Sequence, residues 1–198
     1  DRIQVSIIGS WWAGLIKSPE IHMRTVFEDY VHGSEMQIST LLLNLHEKVM
    51  MEKRVPEEWL IGADNTPKET KHKYAFWFCI WLLCVMAETP LWGMLLTFLL
   101  VGHTHDKLDR FFSRLKKALI GHDYMTVQAM LEVLFAGLKS FNVNSSHLSR
   151  IWQWKHLRAL DLPPMVGMSR VHCINIFRNQ GIWVKWKQYL TSEAWSRP

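Results

Sequence analysis

Cysteine is scarce in this chain: Cys79, Cys84 and Cys173 are the only three in 198 residues. An odd count without a framework excludes a disulfide-stapled scaffold and suits a reducing compartment. Cys79 and Cys84 lie in an apolar segment with no Cys or His at zinc-ligand spacing, so they read as buried thiols. A signal peptide is lacking too, because residues 1–16 show no charged region followed by an apolar run. Asn144-Ser145-Ser146 matches a glycosylation acceptor, but no other feature points to secretion. The expectation is an intracellular protein, with the nucleus as one candidate compartment. Long apolar runs are also missing. The longest, Tyr74 to Ala87, has fourteen residues. A bilayer span needs roughly 20, so this run predicts a buried core helix and no membrane partner. Internal repeats and low-complexity segments are absent, which excludes solenoids and collagen-like arrays.

What is present is globular. Hydrophobic residues make up 48% and charged residues 21% of the chain, a balance that supports one ordinary core, with room for an appended subdomain. Eleven tryptophans supply a large aromatic core and material for an aromatic contact surface. The net charge of +5, with a pI near 9.2, favours an acidic partner such as nucleic acid. It is equally within the ordinary scatter for this length. The chain opens inside what reads as a strand, which predicts a fragment of a longer protein.

Patterning predicts a series of elements. Arg2 to Ile16 reads as one or two strands, and Glu20 to Tyr30 as the next, with Ser18-Pro19 as the turn. Ser34-Glu35-Met36-Gln37 forms a capping box. Ile38, Leu41, Leu42, Leu45 and Val49 then recur at helical spacing, giving a helix over 35–53. Trp59 to Ala63 reads as a short buried strand. Thr66-Pro67-Lys68-Glu69 is a second capping box, opening a helix over 67–87 that is apolar on every face in its later turns. Leu95 to Val101 suits a central strand covered on both faces. A helix over 106–120 places Leu108, Phe111, Phe112, Leu115 and Leu119 on one side and Arg110, Arg114, Lys116 and Lys117 on the other. Another helix runs over 126–139. Val171 to Phe177 and Ile182 to Leu190 form a hairpin around Arg178-Asn179-Gln180-Gly181.

Chemistry concentrates at two strand ends. Asp64 follows the apolar run Trp59 to Ala63. His103, His105, Asp106 and Asp109 follow the run Met94 to Val101. Polar groups at the carboxyl ends of buried strands are where open α/β folds place their sites. Asp106 and Asp109, three apart, project from one helix face. Mg²⁺ and Mn²⁺ favour oxygen ligands in an incomplete protein cage. Two such ions about 4 Å apart clamp the attacking and leaving oxygens of a phosphodiester. The competing structural role is capping, since Asp and His at a helix start also complement its dipole, and Asp-Asn favours turns. A zinc hydrolase is a rival reading of His103-Thr104-His105. In that pattern an Asp and a His follow two residues later, whereas here Asp106 comes too soon and Leu108 occupies the second His position. The basic face Arg110, Arg114 and Lys117 could follow a phosphate backbone, although a solvated surface is the favoured reading. Ile151-Trp152-Gln153-Trp154-Lys155 and Trp183-Val184-Lys185-Trp186-Lys187 interleave Trp with Lys. That pattern suits base stacking, or strands with one buried Trp face and one Lys face.

The segments Ala63-Asp64-Asn65-Thr66 with Glu69, Lys71 to Tyr74, and Val101-Gly102-His103-Thr104-His105-Asp106 through Asp109 and Phe111-Phe112-Ser113 resemble an uncharacterised eukaryotic domain. That domain is found in long transposon-like reading frames and is similar to RNase H-like transposase and integrase cores. The resemblance covers about residues 35–120. It implies an α/β, RNase H-like mixed sheet flanked by helices, with the opening strand missing or truncated. The core would span 1–140, followed by an aromatic, basic extension over 141–198 that carries the hairpin. It implies a DDE-type site with Asp64 as the middle acid, Asp106 or Asp109 as the last, His103 and His105 beside them, and Mg²⁺ or Mn²⁺ as cofactor. Metal-dependent cleavage or strand transfer on DNA would follow. Thr70 stands where the pattern has Asn, and Asp106-Lys107 where it has Glu-Asp. The first acid belongs upstream, and Asp1 and Asp29 are poor substitutes. The implied triad is therefore incomplete here, through truncation or loss. The alternative is a catalytically silent scaffold of the same fold that binds DNA or protein.

Overall fold

The computed structural model of the chain describes residues 5–12, 20–27, 34–63, 71–98, 107–122, 124–139, 143–148, 151–152 and 170–188. Among these the fold is mixed α/β, with four helices and two sheets. The chain divides into two units, one built from Asp1–Tyr30 with His103–Arg150, the other from Val31–Gly102 with Ile151–Pro198. No helix among the described residues is long and apolar enough to cross a membrane.

In the first unit, β1 (Val5–Trp12) pairs antiparallel with β2 (Glu20–Phe27), and β2 pairs in parallel with β5 (Val143–His147). Buried Arg24 of β2 donates from Nη1 to Ser146 Oγ on β5 at 2.7 Å. Helices α3 (Lys107–Leu119) and α4 (Val127–Gly137) close the unit. The predicted apolar stripe of α3 delivers Phe111 and Leu115 into a core with Ile21, Met23, Leu134 and Leu138. Phe112, expected on that stripe, is exposed. Thr126 caps α4, its side chain accepting from Ala129 N at 3.1 Å, which satisfies one of the first-turn donors.

The second unit holds the larger core. Its sheet has the order β3 (Glu58–Ala63), β4 (Gly93–Phe98), β6 (Cys173–Arg178), β7 (Ile182–Lys187). β3 and β4 run parallel, and a parallel pair needs a long crossover, which here contains α2 (Lys73–Val85). β4–β6 and β6–β7 are antiparallel. The hairpin turn carries Gly181 at φ 155°, a conformation that favours glycine. One sheet face, made of Ile61, Met94, Leu96, Phe98, Ile174 and Ile176, packs with α2 and with α1 (Ser34–Glu52). All five residues of the predicted α1 stripe join this core. Fully burying a side chain such as Phe78 or Ile174 contributes about 1.5–3 kcal/mol.

Four sequence expectations change. β3 is an edge strand, so only Ile61 is buried and Leu60 is 65% exposed. β4 is central, flanked by β3 and β6, but Leu95 and Thr97 on its second face are only half-buried. α2 begins at Lys73 rather than Pro67. The ring of His72 accepts from Tyr74 N at 3.4 Å, and the predicted Thr66 box lies outside the described residues. α2 is also not buried all round: Ala75, Phe76, Phe78, Cys79, Leu82 and Leu83 face inward, while Cys84 and Val85 are exposed.

The far end of α2 is tied to the hairpin. Arg178 Nη1 donates to the carbonyls of Leu83 (3.0 Å) and Met86 (3.2 Å), and Nη2 donates to that of Thr89 (3.1 Å). The last carbonyls of a helix lack intrahelical donors and carry its negative dipole end. A fixed guanidinium fork answers both needs.

Candidate functional site

The predicted site grows from the parallel pair β3–β4. Its register runs from Glu58↔Gly93 to Ala63↔Phe98, so both strands leave the sheet at the same end and at the same level. Asp64 follows Ala63 directly, and the segment carrying His103, His105 and Asp106 follows Phe98 after four residues. Asp64, His103, His105 and Asp106 themselves lie outside the described residues. Asp109 lies in the first turn of α3, and its side chain is not among the described ones. No group of three His, Cys, Asp or Glu side chains that could hold a metal ion occurs among the described residues.

One residue at this sheet end escaped the sequence reading. Lys71 is buried, with 7% exposed. Its Nζ stands 5.3 Å from the centroid of the Phe98 ring, at the last residue of β4. Burial holds its pKa below the ordinary lysine value, because desolvation penalises the charged form. The aromatic face returns part of that cost. Lys71 opens the Lys71 to Tyr74 segment of the resemblance, and its burial against Phe98 is what marks it out.

Three basic residues of α3 form an exposed row. Arg110, Arg114 and Lys117 are all exposed, and their spacing of four and three puts them on one stripe of the helix. Lys116 and Lys117 also lie in the last turn, where positive charge complements the helix dipole. The stripe therefore has a structural use at its C-terminal end.

The three thiols divide by environment. Burial pushes Cys79 up to about 12. Cys173 is also raised by burial, an effect that nearby Lys187 opposes. Cys84 is exposed.

The fold is that of a mixed α/β protein with four helices and two sheets among the described residues. The chain belongs to the family described as Domain of unknown function (DUF7869), whose model matches residues 1–193. No curated protein and no solved structure matches it.

Proposed function

We propose that this chain is an RNase H-like DNA-processing domain related to transposase and integrase cores, which breaks or transfers phosphodiester bonds with Mg²⁺ or Mn²⁺. The observation that carries the reading is the in-register parallel pair β3–β4, whose common end leads into both acid-bearing motifs. Strand carboxyl ends are the site-bearing end of α/β sheets. The donor set suits the ion, since Asp64 with Asp106 or Asp109 would supply the hard oxygen ligands that Mg²⁺ and Mn²⁺ prefer. His103 or His105 would complete the shell or orient a phosphate oxygen. A bound ion supplies charge stabilisation on the oxygens of the phosphate under attack. In the reaction, water or a 3′-hydroxyl forms a new bond to phosphorus while the bond to the leaving ribose oxygen breaks. The exposed stripe of Arg110, Arg114 and Lys117 holds the duplex backbone.

The test is nicking of supercoiled plasmid with Mn²⁺, using wild type, Asp64→Asn, Asp109→Asn and the triple variant Arg110→Gln/Arg114→Gln/Lys117→Gln. Nicking should vanish in Asp64→Asn. The triple variant should lower the salt dependence of duplex binding by up to about 2.7 in log–log slope, or about 0.9 for each phosphate no longer neutralised. Nicking that is absent in wild type, or unchanged in both acid variants, refutes the enzymatic reading and leaves a silent DNA-binding scaffold.

A further inference from the structure

The second face of the four-stranded sheet is formed by the alternate residues of each strand. Register places them in three rows: Glu58–Gly93–Phe177–Trp183, Leu60–Leu95–Asn175–Lys185 and Gly62–Thr97–Cys173–Lys187. The opposite residues of β7, Ile182, Val184 and Trp186, pack into the core. The sequence pattern of one Trp face and one Lys face is thus broken by Trp183, which shares the lysine side and is 50% exposed. Its indole does not wave free, because Nε1 donates to the Asn179 carbonyl at 2.8 Å. Directly across from it in register stands Phe177, with Lys185 Nζ 4.9 Å from the ring centroid. Gly93 keeps the floor beside Phe177 low: a Cβ there would stand 3.9 Å from Phe177 Cβ and 3.6 Å from Glu58 Cγ.

We infer that the hairpin edge of this face binds single-stranded DNA, with an unpaired base stacked on exposed Trp183 and the backbone following Lys185 and Lys187. A pinned, exposed indole is a stacking surface that loses little freedom on binding, and stacking is indifferent to base identity. Charge sets the polarity of the face. The two lysines lie on β7, while the acidic residue Glu58 lies on β3 at the other edge, about 14 Å away across three strand spacings. A phosphate chain therefore runs along the hairpin side. The surface differs from the basic stripe of α3, which presents no aromatic platform and suits duplex backbone. The choice of DNA over RNA rests on the proposed function; the stacking surface itself does not.

The experiment is fluorescence anisotropy of labelled dT12 with the full chain in EDTA, so that no metal chemistry intervenes. Wild type should bind dT12 saturably. Trp183→Ala should weaken dT12 binding about tenfold, the order expected for removal of one stack. Trp183→Phe should restore most of it. Lys185→Gln should weaken binding severalfold and lower the salt slope by about 0.7. The α3 triple variant should leave dT12 affinity within about twofold. Circular dichroism checks that each variant is folded, and Trp183→Phe shows that the ring, not the fold, is being read. Failure to bind dT12, equal affinity in Trp183→Ala, tighter binding of rU12, or loss confined to the α3 variant overturns the inference. Loss of plasmid nicking with dT12 binding intact would count against the proposed function alone.

Discussion

Arg178 joins the hairpin to the end of α2, and its removal has a calculable cost. In Arg178→Ala three hydrogen bonds from a cation disappear. Hydrogen bonds to charged groups contribute about 1.5–3 kcal/mol each. The Met86 carbonyl keeps two other donors, the Thr89 hydroxyl at 2.8 Å and the Thr89 N–H at 3.0 Å, so the loss amounts to about two bonds. Water reaching the half-buried position offsets part of it, leaving a net cost of about 3 kcal/mol. For a chain of this length each kcal/mol moves Tm by about 2–4 °C, so the melt should fall by about 6–12 °C. Arg178→Lys keeps the charge near the helix dipole but cannot fork to three carbonyls, and it should lose about half as much. Thermal melts with urea titrations at constant m-value read both changes. A melt for Arg178→Ala within about 2 °C of wild type, or an Arg178→Lys melt equal to wild type, would refute the reasoning.

Three further outcomes follow from the packing. With an excess of a thiol reagent, native protein should label quickly at Cys84 alone, and Cys79 and Cys173 should label only after unfolding; peptide mass mapping reads the order. Cys79 retains its proton in the native state while the unfolded thiol releases it near its ordinary value of 9.0. Its contribution is therefore whole below about pH 9 and is lost as pH rises toward about 12, by up to about 4 kcal/mol. The slope of stability against pH in that window should be shallower in Cys79→Ala. A Cβ at Gly137 would stand 2.7 Å from Ala118 Cβ, so Gly137→Val should push α3 from α4 and cost about 1–3 kcal/mol. Adding Ala118→Gly should recover part of that cost in urea titrations.

Legibility in the sequence followed the strength of periodic pattern. The stripe of α1, the helix over 126–139 and the hairpin around Gly181 were readable because apolar spacing and turn chemistry agree there. β5 was not, because Val143-Asn144-Ser145-Ser146-His147 has no apolar alternation. Its strand exists through pairing with β2 and the Arg24–Ser146 bond. Leu60 read as buried because an apolar run cannot tell an edge strand from a central one. The side-by-side placement of the two motif-bearing strands was anticipated from strand–helix–strand order, and the parallel pair β3–β4 provides it. The burial of Lys71 against Phe98 joins residues 27 apart in the chain and has no local signal, whereas strand alternation alone separates Trp183 from Trp186 and sets it beside Lys185 and Lys187.

In the proposed function the two acid-bearing motifs hold one metal ion. Calorimetric titration of the folded chain with Mn²⁺, comparing wild type with Asp64→Asn and Asp109→Asn, tests it most directly. Saturable binding in wild type that is lost in Asp64→Asn and lost or strongly weakened in Asp109→Asn is the predicted result. No binding in wild type, or binding indifferent to both substitutions, would contradict the account and make these acids structural.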